Sequence, residues 1–217
     1  MRERRRARER AIVAATRELF DARARRDASV DEIARAAGLS KALIYRAFDS
    51  KEEIFLLTLT DYLGELSARR DGLPGGEPAD ALRGLCELYA DFCLEYPAFL
   101  DCALALMQRP AGEVREQVSG AAWARLGSAL AGAVGALSRA LADGGEQGVF
   151  PTASPDLTAN RICVQMLGTM HLARIGLGVR EIAPGAGETF ETDRALVRDA
   201  CVGDAVMLAG ASERAAA

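Results

Sequence analysis

The chain has 217 residues, half of them hydrophobic and few aromatic, which suits one small domain plus a larger one and favours helices over strands. No apolar run approaches the roughly 20 residues that a membrane-spanning helix needs, so a membrane protein is not expected. The net charge of −4 hides an asymmetry: residues 1–51 hold 14 basic against 8 acidic side chains, a net of +6, and the remainder a net of −10. A basic head on an acidic body points to a head that meets a polyanion. The opening Met-Arg-Glu-Arg-Arg-Arg has no apolar stretch of the signal-peptide kind, so a cytoplasmic location is expected. The five cysteines (86, 93, 102, 163 and 201) are odd in number and no two are paired closely, which reads as buried, reduced thiols. No metal or cofactor is expected.

Ile12, Ala15, Thr16, Leu19 and Phe20 recur at helical spacing and predict a first helix ending near residues 25–27. The arm before it carries Arg2, Arg4, Arg5, Arg6, Arg8 and Arg10, suited to phosphate or minor-groove contacts or to a solvated helix start. Ser29-Val30-Asp31-Glu32 is a capping box that opens a short second helix, with Val30, Ile33, Ala34 and Ala37 facing inward and Gly38 suited to the left-handed position at its end. Ser40 caps a third helix, and Ser50-Lys51-Glu52-Glu53 forms another capping box that opens a fourth. Two short helices joined by a Gly-containing turn make a helix-turn-helix, whose second helix lies in the DNA major groove with its N-terminal residues at the base edges.

The stretch from Ser29 to Glu53, with Ile33-Ala34, Ala37-Gly38, Ser40-Lys41, Tyr45, Phe48 and Ser50-Lys51-Glu52, resembles the signature of the tetracycline-repressor (TetR/AcrR) family. With the preceding helix the resemblance covers about 50 residues. It implies an all-α fold: an N-terminal three-helix helix-turn-helix domain at residues 1–50, then a helical ligand-sensing and dimerisation domain at 51–212, of which 51–70 form the connecting helix. It further implies a dimeric, sequence-specific DNA-binding transcriptional regulator. Such a regulator is more often a repressor than an activator, and a small, largely hydrophobic effector releases it from a palindromic double-stranded operator. Carried over residue by residue, the resemblance places Ser29, Ser40, Lys41, Ala42, Leu43, Tyr45, Arg46 and Lys51 at the DNA. Ser29, Tyr45 and Lys51 would meet phosphates, and Arg46 is placed to read a guanine. The chain departs from the family pattern at Leu43, Ala47 and Asp49, which bears on which operator is read.

Beyond residue 70 the pattern reads as helices at about 79–95, 99–107, 113–141, 156–176 and 191–209, separated by Gly- and Pro-rich loops at 71–78, 143–155 and 177–188. No segment alternates in the manner of a strand. The Ala-rich end at residues 215–217 is expected to fray. By resemblance, the last two long helices pair with the same two of a second subunit, and a homodimer is also what DNA geometry wants, with reading helices about 34–36 Å apart. The family's effector pocket lies between the middle helices; candidates are Tyr89, Phe92, Cys93, Phe99, Met107, Trp123, Met166, Met170 and His171. An apolar pocket with a few polar groups suits a hydrophobic or aromatic small molecule. Three other readings differ in kind. An enzyme lacks any phosphate loop, nucleophile elbow or metal-binding helix motif here. A thiol switch would use Cys86 and Cys93, seven residues apart on one helical face. An architectural DNA binder would be basic throughout.

Overall fold

The computed structural model describes residues 2–210, without the side chain of Arg2. The 215–217 end expected to fray and the last two residues of the expected second domain lie outside the described residues. In chain order the elements are α1 (Arg2–Arg23), α2 (Val30–Ala36), α3 (Lys41–Tyr45), α4 (Lys51–Arg70), α5 (Pro78–Glu95), α6 (Pro97–Met107), α7 (Ala111–Glu116), α8 (Gly120–Glu146), α9 (Pro155–Ile175), β1 (Leu177–Ala183), β2 (Ala186–Glu191) and α10 (Arg194–Leu208). The fold is predominantly helical, as the composition predicts. Among the described residues, no helix is long and apolar enough to cross a membrane. The chain divides into two compact units, each assembled from two separate segments. One comprises the residues up to Glu65 with Tyr96–Ala131; the other comprises Leu66–Glu95 with the residues from Gly132 onward.

In the first unit, the predicted α1 stripe is the core: Ile12, Ala15, Thr16 and Phe20 are buried, and the Thr16 hydroxyl donates to the Ile12 carbonyl at 2.8 Å. Phe20 meets Phe55 of α4 edge to face at 4.8 Å between ring centres. Arg17 of α1 crosses to α4, donating to Asp61 at 2.9 Å and to Glu65. Its guanidinium also lies 4.3 Å from the centre of the Tyr62 ring and 5.1 Å from that of Tyr96. The Tyr62 hydroxyl donates to Asp21 at 2.5 Å and the Tyr96 hydroxyl to Glu65 at 3.0 Å. One cation, shared among the carboxylates of Asp21, Asp61 and Glu65 and two aromatic rings, thus ties α1 to α4 and to the start of α6.

Two expectations are corrected here. The single helix expected at 113–141 is two, because Ser119 starts a new one: its hydroxyl accepts from the Ala122 amide at 3.2 Å, and its carbonyl takes the Trp123 amide at 3.0 Å. The break is anchored to the start of α4, where Glu53 accepts from the Ser119 hydroxyl and Ser50 donates to the Gln117 carbonyl at 2.6 Å. The second helix then runs on to Glu146, into the segment expected as a loop. The segment expected as a loop at 177–188 is instead most of an antiparallel hairpin, with Leu177 opposite Glu191, Val179 opposite Thr189 and Ala183 opposite Ala186 across Pro184-Gly185. Nearly all of its side chains are exposed, so no core imposed the alternation that would have marked it as strand.

In the second unit, α5, α9 and α10 bury Leu82, Phe92, Ile162, Met166, Met170, Val197, Cys201 and Ala205 against one another. Ser154 caps α9 through the Leu157 amide, Pro155 occupies its first turn, and Gly176 at φ 74° ends it in the left-handed conformation that costs glycine least. Arg198 of α10 grips Asp91 of α5 with two of its three guanidinium nitrogens, at 2.8 and 3.0 Å. Phe150, fully buried, sits where a side chain at Gly144 would be: a Cβ there would lie 2.2 Å from the Phe150 ring. Helix propensity alone would make Gly144→Ala a gain of about 1 kcal/mol. Forced repacking of a buried ring costs about 1–3 kcal/mol and wins. Gly144→Ala is expected to lower the urea midpoint of unfolding, whereas Gly127→Ala, with open space around its Cβ, is expected to hold or raise it.

Candidate nucleic-acid interface

The helix-turn-helix is built from local signals that the structure realises atom by atom. Ser29 accepts from the Glu32 amide at 3.2 Å, and Glu32 accepts from the Ser29 amide at 2.8 Å, so both arms of the capping box are present. Arg23, at the end of α1, donates to the same Glu32 carboxylate at 2.5 Å and to the Asp27 carbonyl, fixing the entry to α2. Gly38 at φ 65° turns the chain out of α2, with the Leu39 amide returning to the Ala34 carbonyl at 2.9 Å. At the start of α4, the Ser50 hydroxyl accepts from the Glu53 amide at 3.0 Å, while the Glu53 carboxylate reaches the Asp49 amide at 2.8 Å rather than that of Ser50.

This scaffold divides α3 into an inner and an outer side. Ile44 is fully buried and Phe48 nearly so, while Lys41, Ala42, Tyr45 and Arg46 are exposed and Leu43 is half-buried. Tyr45 keeps 53% of its surface in solvent, high for an aromatic side chain with no partner in the core. Ser40 takes the extended backbone of a cap but its hydroxyl bonds no helix amide. Ser29, also exposed, has its hydroxyl engaged with Glu32. Lys51 is half-buried, its ammonium 4.9 Å from the centre of the Phe55 ring. Lys41 and Lys51 are the only two lysines of the chain, which otherwise uses arginine for positive charge. Sequence reasoning missed one participant on this face: Asp31 of α2 accepts from Lys41 at 3.0 Å. Ten residues separate the two, outside any helical periodicity, so only the fold brings them together.

The nine effector-pocket candidates divide between the units. Tyr89, Phe92, Cys93, Met166, Met170 and His171 belong to the second, and Phe99, Met107 and Trp123 to the first. Phe92, Cys93, Met166, Met170 and Phe99 are buried, Tyr89, Trp123 and His171 are half-buried, and Met107 is exposed. The second unit contains a small apolar pocket of about 50 Å³ lined by Leu66, Leu85, Leu88, Tyr89, Leu137 and Cys163. Beside it, sharing Arg70 and Leu85, opens a cleft of about 560 Å³ of mixed lining, bordered by Pro74, Gly76, Arg139 and Asp143. Pro74 and Gly76 lie within the Gly- and Pro-rich stretch after α4, and that stretch was the signal in the sequence that could have found the cleft. The His171 Nδ1 is buried without a hydrogen-bond partner among the described residues. Burial pushes the thiol of Cys163 up to about 11 and those of Cys86, Cys102 and Cys201 up to about 12, so they stay protonated and poorly nucleophilic near neutral pH. Among the described residues no group of histidine, cysteine and carboxylate side chains is arranged to hold a metal ion.

Residues 12–58 match the family model described as bacterial regulatory proteins, tetR family. The whole chain is similar in fold to RolR in complex with resorcinol, at 16% identity over 98% of this chain and 97% of that one, with a TM-score of 0.65. It is similar to PfmR, a TetR family transcriptional regulator from Thermus thermophilus, at 25% identity over 94% of this chain and 99% of that one, with a TM-score of 0.56. FadR from Bacillus subtilis in complex with stearoyl-CoA superposes at 15% identity over 94% and 98% of the two chains, with a TM-score of 0.61. No curated protein matches the chain.

Glu32 offers a pH test of the scaffold. Hydrogen bonds from Arg23 and from the Ser29 amide and hydroxyl hold its carboxyl down to about 2, below its ordinary 4.5. A depressed carboxylate contributes stability that is complete above the unfolded value and is lost as pH falls through the folded one. Glu32→Gln is therefore expected to melt at a lower temperature than the parent near neutral pH. The gap is expected to narrow as both proteins are taken from about pH 4.5 down to about pH 2, followed by thermal denaturation.

Proposed function

We propose that this chain, whose residues 12–58 belong to the tetR family of bacterial regulatory proteins, is a homodimeric, sequence-specific DNA-binding repressor that a small hydrophobic effector releases from a palindromic operator. The observation that carries the DNA-binding part is the outer side of α3. Lys41, Ala42, Tyr45 and Arg46 stand exposed over buried Ile44, within a capped helix-turn-helix that the family model covers. In this reading residues 1–50 are the DNA-binding domain and 51–212 the sensing and dimerisation domain. Tyr45, Ser40, Ser29 and Lys51 meet phosphates, and Ala42, Leu43 and Arg46 meet base edges, with Lys41 at the rim. Phosphate contacts of this kind carry the sequence-independent part of the affinity and make it salt-dependent.

Dimerisation is supported by apolar side chains that nothing among the described residues covers. Leu157, Val164, Leu172 and Ile175 recur along one side of α9, interrupted by Gly168, and Leu196 and Met207 stand on α10 with Ala200 and Gly203 between them. A stripe of this extent on two adjacent helices marks a surface that is buried in the working molecule, and its small residues allow close helix approach. The effector reading is supported by the apolar pocket at Tyr89 and its open neighbour. The effector must bind the DNA-free conformation better than the DNA-bound one in order to release DNA.

Selection of genomic fragments by the protein at about 150 mM salt, where non-specific binding is weak, is expected to enrich a few palindromes. A Tyr45→Ala/Lys51→Ala double variant is expected to lose them. Amine acylation gives a second readout, because only Lys41, Lys51 and the terminal amine can react; an enriched fragment is expected to protect both lysines. Failure to enrich any fragment, repeated after unfolding and refolding to remove a carried effector, would overturn the reading. Separately, Val164→Glu places a charge in the α9 stripe and is expected to shift the protein to monomer in sedimentation velocity, a buried unpaired charge costing about 2–5 kcal/mol at an interface. Unchanged sedimentation of that variant would remove α9 from the interface.

A further inference from the structure

Lys41 and Asp31 face each other across the turn of the helix-turn-helix, with the ammonium 3.0 Å from the carboxylate. Neither partner is held by a flexible segment. Asp31 lies in the first turn of a helix whose cap is bonded on both arms, and Lys41 is the first residue of a helix whose inner side is pinned by fully buried Ile44. The turn between them is set by Gly38 at φ 65°. Both side chains are more than half exposed, 52% for Lys41 and 63% for Asp31, so the pair lies on the outer surface beside Ala42 and Tyr45 rather than beneath it. The carboxylate raises the ammonium pKa through a hydrogen bond and its charge. Of the exposed positive groups at α3, Lys41 is already paired, while Arg46, at the C-terminal cap of the helix, has no ion-pair partner among the described residues.

We propose that Asp31 is the internal counter-ion of Lys41 that DNA must displace, and that it thereby sets how weakly this protein holds DNA of arbitrary sequence. The proposal rests on the DNA-binding reading of α3 given above. A phosphate approaching Lys41 competes with a carboxylate fixed by the same scaffold, so this lysine releases no net counter-ion on contact unless the pair opens. Sequence-independent affinity is almost wholly electrostatic, and it is the part of the affinity that loses most when a basic contact is occupied in advance. Contacts to base edges then have to supply what the paired lysine withholds, which raises the contrast between an operator and other DNA.

The test is the variant Asp31→Asn, which keeps the shape and removes the charge. Binding of a short duplex of random sequence is measured by fluorescence anisotropy across a salt series, in the parent and in a Lys41→Met background. Asp31→Asn is expected to tighten binding by about ten-fold at low salt. It is also expected to steepen the log–log salt dependence by about 0.9, the increment for one added phosphate contact. In the Lys41→Met background most of that gain is expected to vanish. Equal gain in both backgrounds would show that Asp31 only repels phosphate, and no gain in either would show that it does neither; both results overturn the proposal. The rate of Lys41 acylation relative to Lys51 in DNA-free protein reads the pair directly. The ratio is expected to rise in Asp31→Asn, and an unchanged ratio overturns the pairing. If the parent binds no duplex at all, the DNA-binding reading fails instead, and the acylation ratio still decides whether the pair exists.

Discussion

Arg17 is the residue on which the first unit turns. Burial alone works against a charged guanidinium, but its hydrogen bonds to Asp61 and Glu65 outweigh that penalty and raise its pKa further. The two tyrosine rings beside it supply what water would otherwise provide, and Tyr62, itself buried and hydrogen-bonded to Asp21, is held protonated by the same surroundings. A cation in this position cannot be replaced by a hydrocarbon of similar volume, because the carboxylates would then be left facing one another. The orientation of the outer side of α3 follows from it by a short chain of contacts. α1 is fixed on α4 by Arg17 and by the Phe20–Phe55 pair, α2 is packed on α1 and capped through Arg23, and α3 is packed on α2. The orientation of this surface is inherited from a partly buried ion cluster on the other side of α1.

How much of this could be read from the sequence depended on the range of the interaction. Caps are local, so Ser29 with Glu32, Ser50 with Glu53 and the glycine at 38 announced themselves within four residues, and the helices they open were visible with them. The α1 stripe was visible for the same reason. The Arg17 cluster was not, because its partners lie 44 and 48 residues away and owe their meeting to packing. The Lys41–Asp31 pair escaped for the same reason. The break between α7 and α8 had a local mark in Ser119-Gly120, but an isolated glycine is tolerated inside a helix; what makes the chain turn there is the serine hydroxyl together with bonds to a distant helix. The effector-pocket candidates illustrate a different limit. Phe92, Met166 and Tyr89 all look like inward-facing apolar residues, and helical periodicity cannot separate a side chain that fills the core from one that lines a cavity.

The cysteines show how burial decides chemistry. Four of the five lie in the second unit, on α5, α9 and α10, where their spacing on α5 invites a redox reading. The protein instead spends them as small apolar side chains: Cys201 donates weakly to the Met166 carbonyl, and desolvation keeps the group from ionising. Thiols so placed offer little thiolate for oxidation near neutral pH.

Among the described residues no further strand pairs with the hairpin between α9 and α10, which exposes Val179, Ile182 and Phe190. Such a ribbon is the kind of surface on which further strands can grow. It is studded with Arg180, Glu181, Glu188 and Glu191, and one of these charges, Arg180, pairs across the ribbon with Glu188. Charged side chains on such a ribbon disfavour edge-to-edge pairing. A segment of about a dozen residues that contributes almost nothing to the core therefore bears on how the protein behaves at high concentration.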